Sequence, residues 1–223
     1  MRLFFLYSNK VRIGKNVKVG FSWISSSVID LSGSTVIGHL NYINTNHLIV
    51  SDGKIGHINI IKGDFGVRLN NAIIGSQNKI SSSAKAYHLV EFQMDSNSHL
   101  ANCHLIDMTD SVKIGNRTTI AGTETQIWTH SFVRSKELQR NVRIDAPVEI
   151  GEWCYIGARC NIMPGVIIAD EITIGAQTVV AKSLKDRGVY VGAQLRFLKF
   201  NATERILSLG NSTIGSDIYN KKL

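Results

Sequence analysis

A period of six residues governs this chain. Counting from Ile144, an aliphatic side chain recurs at Ile150, Ile156, Ile162, Ile168, Ile174 and Val180. Counting from Ile13, the same step meets Val19, Ser25, Leu31, Ile37, Ile43, Ile49, Ile55, Ile61, Val67 and Ile73, with Ser25 the exception. The next residue is often small or acidic, as at Gly14, Gly38, Asp145, Gly157 and Gly175. Four residues after the aliphatic position comes a small or β-branched one, as at Val17, Cys154, Cys160, Val166 and Thr178. Six is neither the helical period nor simple strand alternation. It is the signature of a parallel β-helix. Each hexad makes one short strand and one corner, three close a coil, and successive coils pair as parallel strands about 4.8 Å apart.

The pattern blurs over 76–110 and returns at Ile114 and Ile120. The seven-residue step from Ile120 to Ile127 predicts a bulge, and the poor fit of 129–141 predicts a loop ejected from the coil at 131–140. A rigid coil positions such loops for function. The expected domain is 1–200, with 201–223 a C-terminal extension of unassigned role. Residues 1–7 and those after Lys199 are expected to cap the exposed coil edges.

Composition narrows the class. Hydrophobic residues make up 43% of the 223, which argues against disorder. No apolar run has membrane-spanning length, and the run at 3–7 is too short for a secretory leader, so a cytoplasmic location is expected. Three cysteines, Cys103, Cys154 and Cys160, do not suggest a disulfide framework. Cys154 and Cys160, six apart, read as stacked core residues. The net charge of +8 is not gathered into an aromatic-interleaved basic patch, which speaks against nucleic acid as a partner.

The stretches IGNRTTIAGTETQIWTHSF and IGEWCYIGARCNIMPGVIIADEITIGAQTVVAKSL resemble the bacterial hexapeptide acyltransferases, most closely sugar and polysaccharide O-acetyltransferases. The resemblance is close over about 112–200 and rests on the repeat alone before that. It implies a left-handed coil, acetyl-CoA as co-substrate with no metal, a sugar acceptor, a homotrimer with sites between protomers, and a place in polysaccharide biosynthesis. It assigns His130, in Ile127-Trp128-Thr129-His130, as the general base that deprotonates the acceptor hydroxyl. A carbonyl or carboxylate should hold the other ring nitrogen, with Glu124 and Asp145 as candidates. The pantetheine arm is expected along Gly157, Ala158 and Ala176. Lys182, Arg196 and Lys199 are expected at the phosphates, although Gly192-Ala193-Gln194 lacks the family's Asn-Pro. Trp128 and Tyr155 are candidate acceptor contacts.

Rival readings are N-acetylation of an amino sugar, a non-catalytic scaffold, and a zinc protein like the γ-class carbonic anhydrases, built on His99, His104 and His130. In that family the close histidine pair comes last in the chain, whereas here it comes first. His39, His47, His57 and His88 read as surface or corner residues.

Overall fold

The computed structural model describes residues 5–82, 88–135, 140–192 and 196–198. Among them every regular element is a β-strand. The chain winds as a parallel β-helix of about nine coils.

Each coil has three faces, defined by the inward residue that stacks on its copy above. On the first face Leu31, Val50, Leu69, Met94, Ile114, Ile150 and Ile168 lie in one column. On the second, Ile37, Ile55, Ile74, Leu100, Ile120, Ile156, Ile174 and Tyr190 do so. On the third the column is Ile24, Ile43, Ile61, Ile80, Ile106, Ile127, Ile162 and Val180. These columns, with the residues two positions before them on the first face (Ile29, Leu48, Val67, Phe92, Val112, Val148 and Val166), make one continuous apolar core. Each fully buried aliphatic chain contributes about 1.5–3 kcal/mol.

The coil corrects the counting in sixes. Ile24, Val50 and Ile74 fill the interior, whereas Ser25 and Ile49 are half-buried and Ile73 is exposed. The second corner takes only five residues from Val19 to Ile24, and the third takes seven from Ile24 to Leu31 and eight from Ile61 to Leu69, so a strict count drifts by one. A one-residue slip turns an inward strand position outward. Ile144 also lies outside the coil: it is 46% exposed, in a hairpin.

That hairpin is the ejected segment. His130–Ser135 pairs antiparallel with Arg140–Asp145, so the excursion is longer than 131–140 and carries its own ladder. It leaves at the corner between the third and first faces. At the same corner two coils earlier, the inward positions Ile80 and Met94 are fourteen residues apart, which accounts for the blurred repeat. The expected bulge is an added corner residue, with Gly122 and Glu124 at φ of 68° and 62°.

Buried side chains continue the coil hydrogen bonding through the second corner. Asn41 Oδ1 accepts from the backbone N–H and side-chain amide of Asn59. Asn59 accepts from the Asn78 N–H, and Asn78 from the His104 N–H. His104 Nδ1 then accepts from the Thr125 N–H, and Thr125 Oγ1 from the Cys160 N–H. Such interior polar groups are tolerable because they are paired. Cys154 and Cys160 are buried, and burial pushes both thiols above the usual range.

The ends are protected as edges require. Phe5–Tyr7 lies beside Trp23–Ser25, and Arg196–Leu198 pairs antiparallel with residues 189–191. Residues 199–223, including the proposed extension at 201–223, lie outside the described part.

Candidate active site

The corner between the third and first faces holds the densest polar cluster around a histidine. His130 begins the hairpin three residues after the core residue Ile127, which stacks on Ile106 one coil earlier. The stacking brings Asp107, next to Ile106, under the hairpin base. Asp107 Oδ2 lies 2.8 Å from His130 Nδ1. It also accepts from Thr129 N–H at 3.0 Å and from Thr129 Oγ1 at 2.7 Å. Asp107 Oδ1 accepts from Thr109 Oγ1 at 3.0 Å.

Burial of Asp107 works against its charge, but the hydrogen bonds from Thr129, His130 and Thr109 outweigh it. Its carboxyl is held below the usual carboxylate range. An ionised carboxylate accepts and cannot donate, so the proton of the neutral His130 ring sits on Nδ1. Nε2 then carries the lone pair, the arrangement of an oriented base. The His130 side chain is 20% exposed and Asp107 6%. Trp128 and Phe132 meet the imidazole edge-on, with centroids 6.1 and 5.7 Å away.

The expected ring partners are corrected by this geometry. Glu124 pairs with Arg159 at 2.7 Å on another corner. Asp145 faces His130 across the hairpin, but both its oxygens accept from Arg143. The acidic partner is Asp107, which becomes a neighbour only through coil stacking. Its signal in the sequence was an acidic residue directly after a stacked isoleucine in the run Asp107-Met108-Thr109-Asp110.

The remaining candidates divide among the edges of the prism. Gly157 is buried at the second corner, and Ala158 and Ala176 form a column of small residues there with Gly122. A Cβ on Gly122 would stand 2.5 Å from that of Ala158, and one on Gly157 2.6 Å from the Ala176 nitrogen. In earlier coils the same edge carries His39, His57, Ser76 and Asn102, each accepting a backbone N–H from the coil before it. The edge therefore changes from a bulky side-chain ladder to a bare shelf. Lys182 is exposed on the edge that carries His130, and it borders a cleft of about 250 Å³ with Tyr190 and Phe197. Tyr155 projects from the second face between Thr119 and Thr173, away from His130. Arg196 lies in the last described strand with its side chain outside the described part, and Lys199 is outside it altogether.

The histidines of the zinc reading do not converge. His104 is buried in the interior ladder at the second corner, and its Nδ1 is engaged by Thr125 N–H, while His130 stands at the third corner. Among the described residues no group of three or more His, Cys, Asp or Glu side chains is placed to hold a metal. None of their helices is long and apolar enough to cross a membrane.

Comparisons with known proteins agree with the fold. Residues 147–182 match the family model described as the hexapeptide repeat of succinyl-transferase. Galactoside O-acetyltransferase of Escherichia coli (strain K12) is 31% identical over 116 residues, 49% of this chain and 57% of that protein. The match thus spans little more than half the relative's length. The solved structure of the polySia specific acetyltransferase NeuO has a TM-score of 0.59 at 17% identity, covering 88% of this chain and 86% of that one. The polysialic acid O-acetyltransferase OatWY has a TM-score of 0.55 at 16% identity, covering 89% of each chain. This chain is a parallel β-helix that carries the hexapeptide repeat over residues 147–182 and shares its fold with those two structures.

Proposed function

We propose that this protein is an acetyl-CoA-dependent O-acetyltransferase acting on a hydroxyl of a sugar or surface polysaccharide. The observation that carries the reading is the His130–Asp107 pair, which leaves Nε2 unprotonated at the root of an ejected hairpin. In this reading Nε2 takes the proton of the acceptor hydroxyl. The oxygen attacks the thioester carbonyl while both substrates are bound, and a backbone N–H stabilises the resulting oxyanion. The intermediate collapses by breaking the C–S bond, and His130 returns the proton to the departing thiolate. The products are the acetyl ester and CoA. An amino-sugar acceptor would use the same base and donor.

The second-corner shelf of Gly122, Ala158 and Ala176 suits a narrow pantetheine arm, because backbone is accessible where side chains are missing. Lys182, Arg196 and Lys199 supply cations for the phosphates. Trp128 packs on the base and walls the acceptor side, and Tyr155 is assigned to a sugar or cofactor contact in the same reading. The shelf and His130 lie on different edges of one prism, so one copy does not hold both halves of the site. A homotrimer, with the shelf of one copy facing the hairpin of the next, completes it. The same reading places the protein in the cytoplasm, where acetyl-CoA and polysaccharide precursors meet.

Isothermal titration of acetyl-CoA into the wild type and into an Arg196→Ala/Lys199→Ala variant tests the donor assignment. Saturable binding, weakened about tenfold or more by the variant, is the expected result, since each lost charge-assisted contact costs about 1.5–3 kcal/mol. No binding to the wild type well above micromolar protein would sink the donor assignment. Light scattering is expected to return three times the 24.6 kDa chain mass. A monomer with full activity would contradict the shared site.

A further inference from the structure

A second histidine–aspartate pair stands at the same corner as the first. His88 Nε2 is 3.0 Å from Asp110 Oδ1. The Asp110 side chain is only 9% exposed, while that of His88 is 55% exposed. Asp110 Oδ1 also accepts from the Ser111 N–H at 2.6 Å. A carboxylate so far out of water is stabilised by paired donors, and His88 is the side-chain donor it has in the described structure.

Asp110 connects directly to the base. Its backbone N–H donates to Thr129 Oγ1 at 2.9 Å. A hydroxyl has one proton, and this bond leaves Thr129 Oγ1 to donate to Asp107, with Oδ2 at 2.7 Å. Asp107 Oδ2 is the atom that receives His130 Nδ1–H. The link from His88 to His130 therefore runs through the Asp110 carboxylate, along the Asp110 main chain to its N–H, and on by hydrogen bonds through Thr129 and Asp107. Its members come from two successive corners and the hairpin root, and they are separate in sequence.

We propose that His88 and Asp110 are positioning residues for His130: the pair fixes the 107–110 turn, and through it the tautomer and orientation of the base. His88 then belongs to the site as a brace. His88 touches no reacting atom in this proposal. A catalytic base must hold both its proton and its direction through turnover, and partners beyond the first contact commonly set that orientation. The other charges at the hairpin root, Arg143 and Asp145, satisfy one another.

The inference rests on the acetyl-transfer reading only for its kinetic arm. The direct readout is the ¹⁵N spectrum of the His130 imidazole, which needs neither substrate. In the wild type it is expected to report one tautomer, with Nδ1 protonated and Nε2 bare. In His88→Ala and in Asp110→Asn it should report a mixture of tautomers. His88→Gln, whose amide can donate to Asp110, should restore the single tautomer. Kinetically, His88→Ala should lower kcat about tenfold and leave KM for acetyl-CoA unchanged, with His88→Gln recovering most of the loss. Thermal melts verify that each variant is folded. An unchanged His130 spectrum in both folded variants overturns the proposal. A changed spectrum in a protein that transfers no acetyl group upholds the brace and discards the acetyl-transfer reading instead.

Discussion

Replacing His130 by alanine is expected to lower kcat for acetyl transfer by about 100- to 10,000-fold, the usual span for losing a general base. Acetyl-CoA affinity should change little, because in this reading His130 acts on the acceptor hydroxyl and the donor is held by the shelf and the basic residues. Release of free CoA thiol gives the rate and calorimetry gives the affinity. Asp107→Asn makes a sharper case. An asparagine can present its N–H₂ to His130 Nδ1, which stabilises the tautomer whose Nε2 carries the proton. The ring would keep its place and lose its basic atom. A loss comparable to His130→Ala, in a protein that still folds but melts lower because the amide also faces the Thr129 N–H, is the expected result. Full activity in Asp107→Asn would remove Asp107 from the mechanism.

The second large effect is an acid instability located in the interior. Burial lowers the pKa of His104 from 6.5 to about 4, with the neighbouring His99 adding to the shift. The folded protein therefore binds this proton less readily than the unfolded chain does. Stability from this group is fully present above about pH 6.5 and is lost as pH falls toward 4. A shift of this size corresponds to about 3 kcal/mol over the window. Asparagine occupies the equivalent rung in the three preceding coils, at Asn41, Asn59 and Asn78. Urea unfolding of wild type and His104→Asn between pH 4 and 7 tests this. The two curves should converge near neutral pH and separate in acid, with the variant the more stable. Parallel curves would show that His104 does not govern the acid limb. The Asp107 carboxyl acts at lower pH, because its own value is already below the carboxylate range.

The period of six made the coil legible because each hexad repeats the same burial problem. Ile150, Ile156, Ile162, Ile168, Ile174 and Val180 are all interior, as counted. The count fails at Ser25 because the second corner takes only five residues from Val19 to Ile24, and at Ile49 and Ile73 because of the third corner. The third corner takes an extra residue or two without disturbing the stack, and a rule of fixed step cannot see a corner. His130 was legible because its local motif is contiguous. Asp107 was not, because the contact spans twenty-three positions and exists only once Ile127 stacks on Ile106. His88 and Asp110 are twenty-two positions apart and were hidden in the same way.

The uneven corner carries a consequence for how such a chain can diversify. The 23 positions between Ile127 and Ile150 are carried without offset, since Ile127 still stacks on Ile162 and Ile114 on Ile150. The other two corners vary only between five and seven residues from one inward position to the next. Sequence can therefore be gained or lost at one rim while the winding beneath stays intact. That rim is also where His130 is mounted. In the proposed reading, new acceptor preferences can thus arise by exchanging excursions of different length, with no new way of folding required.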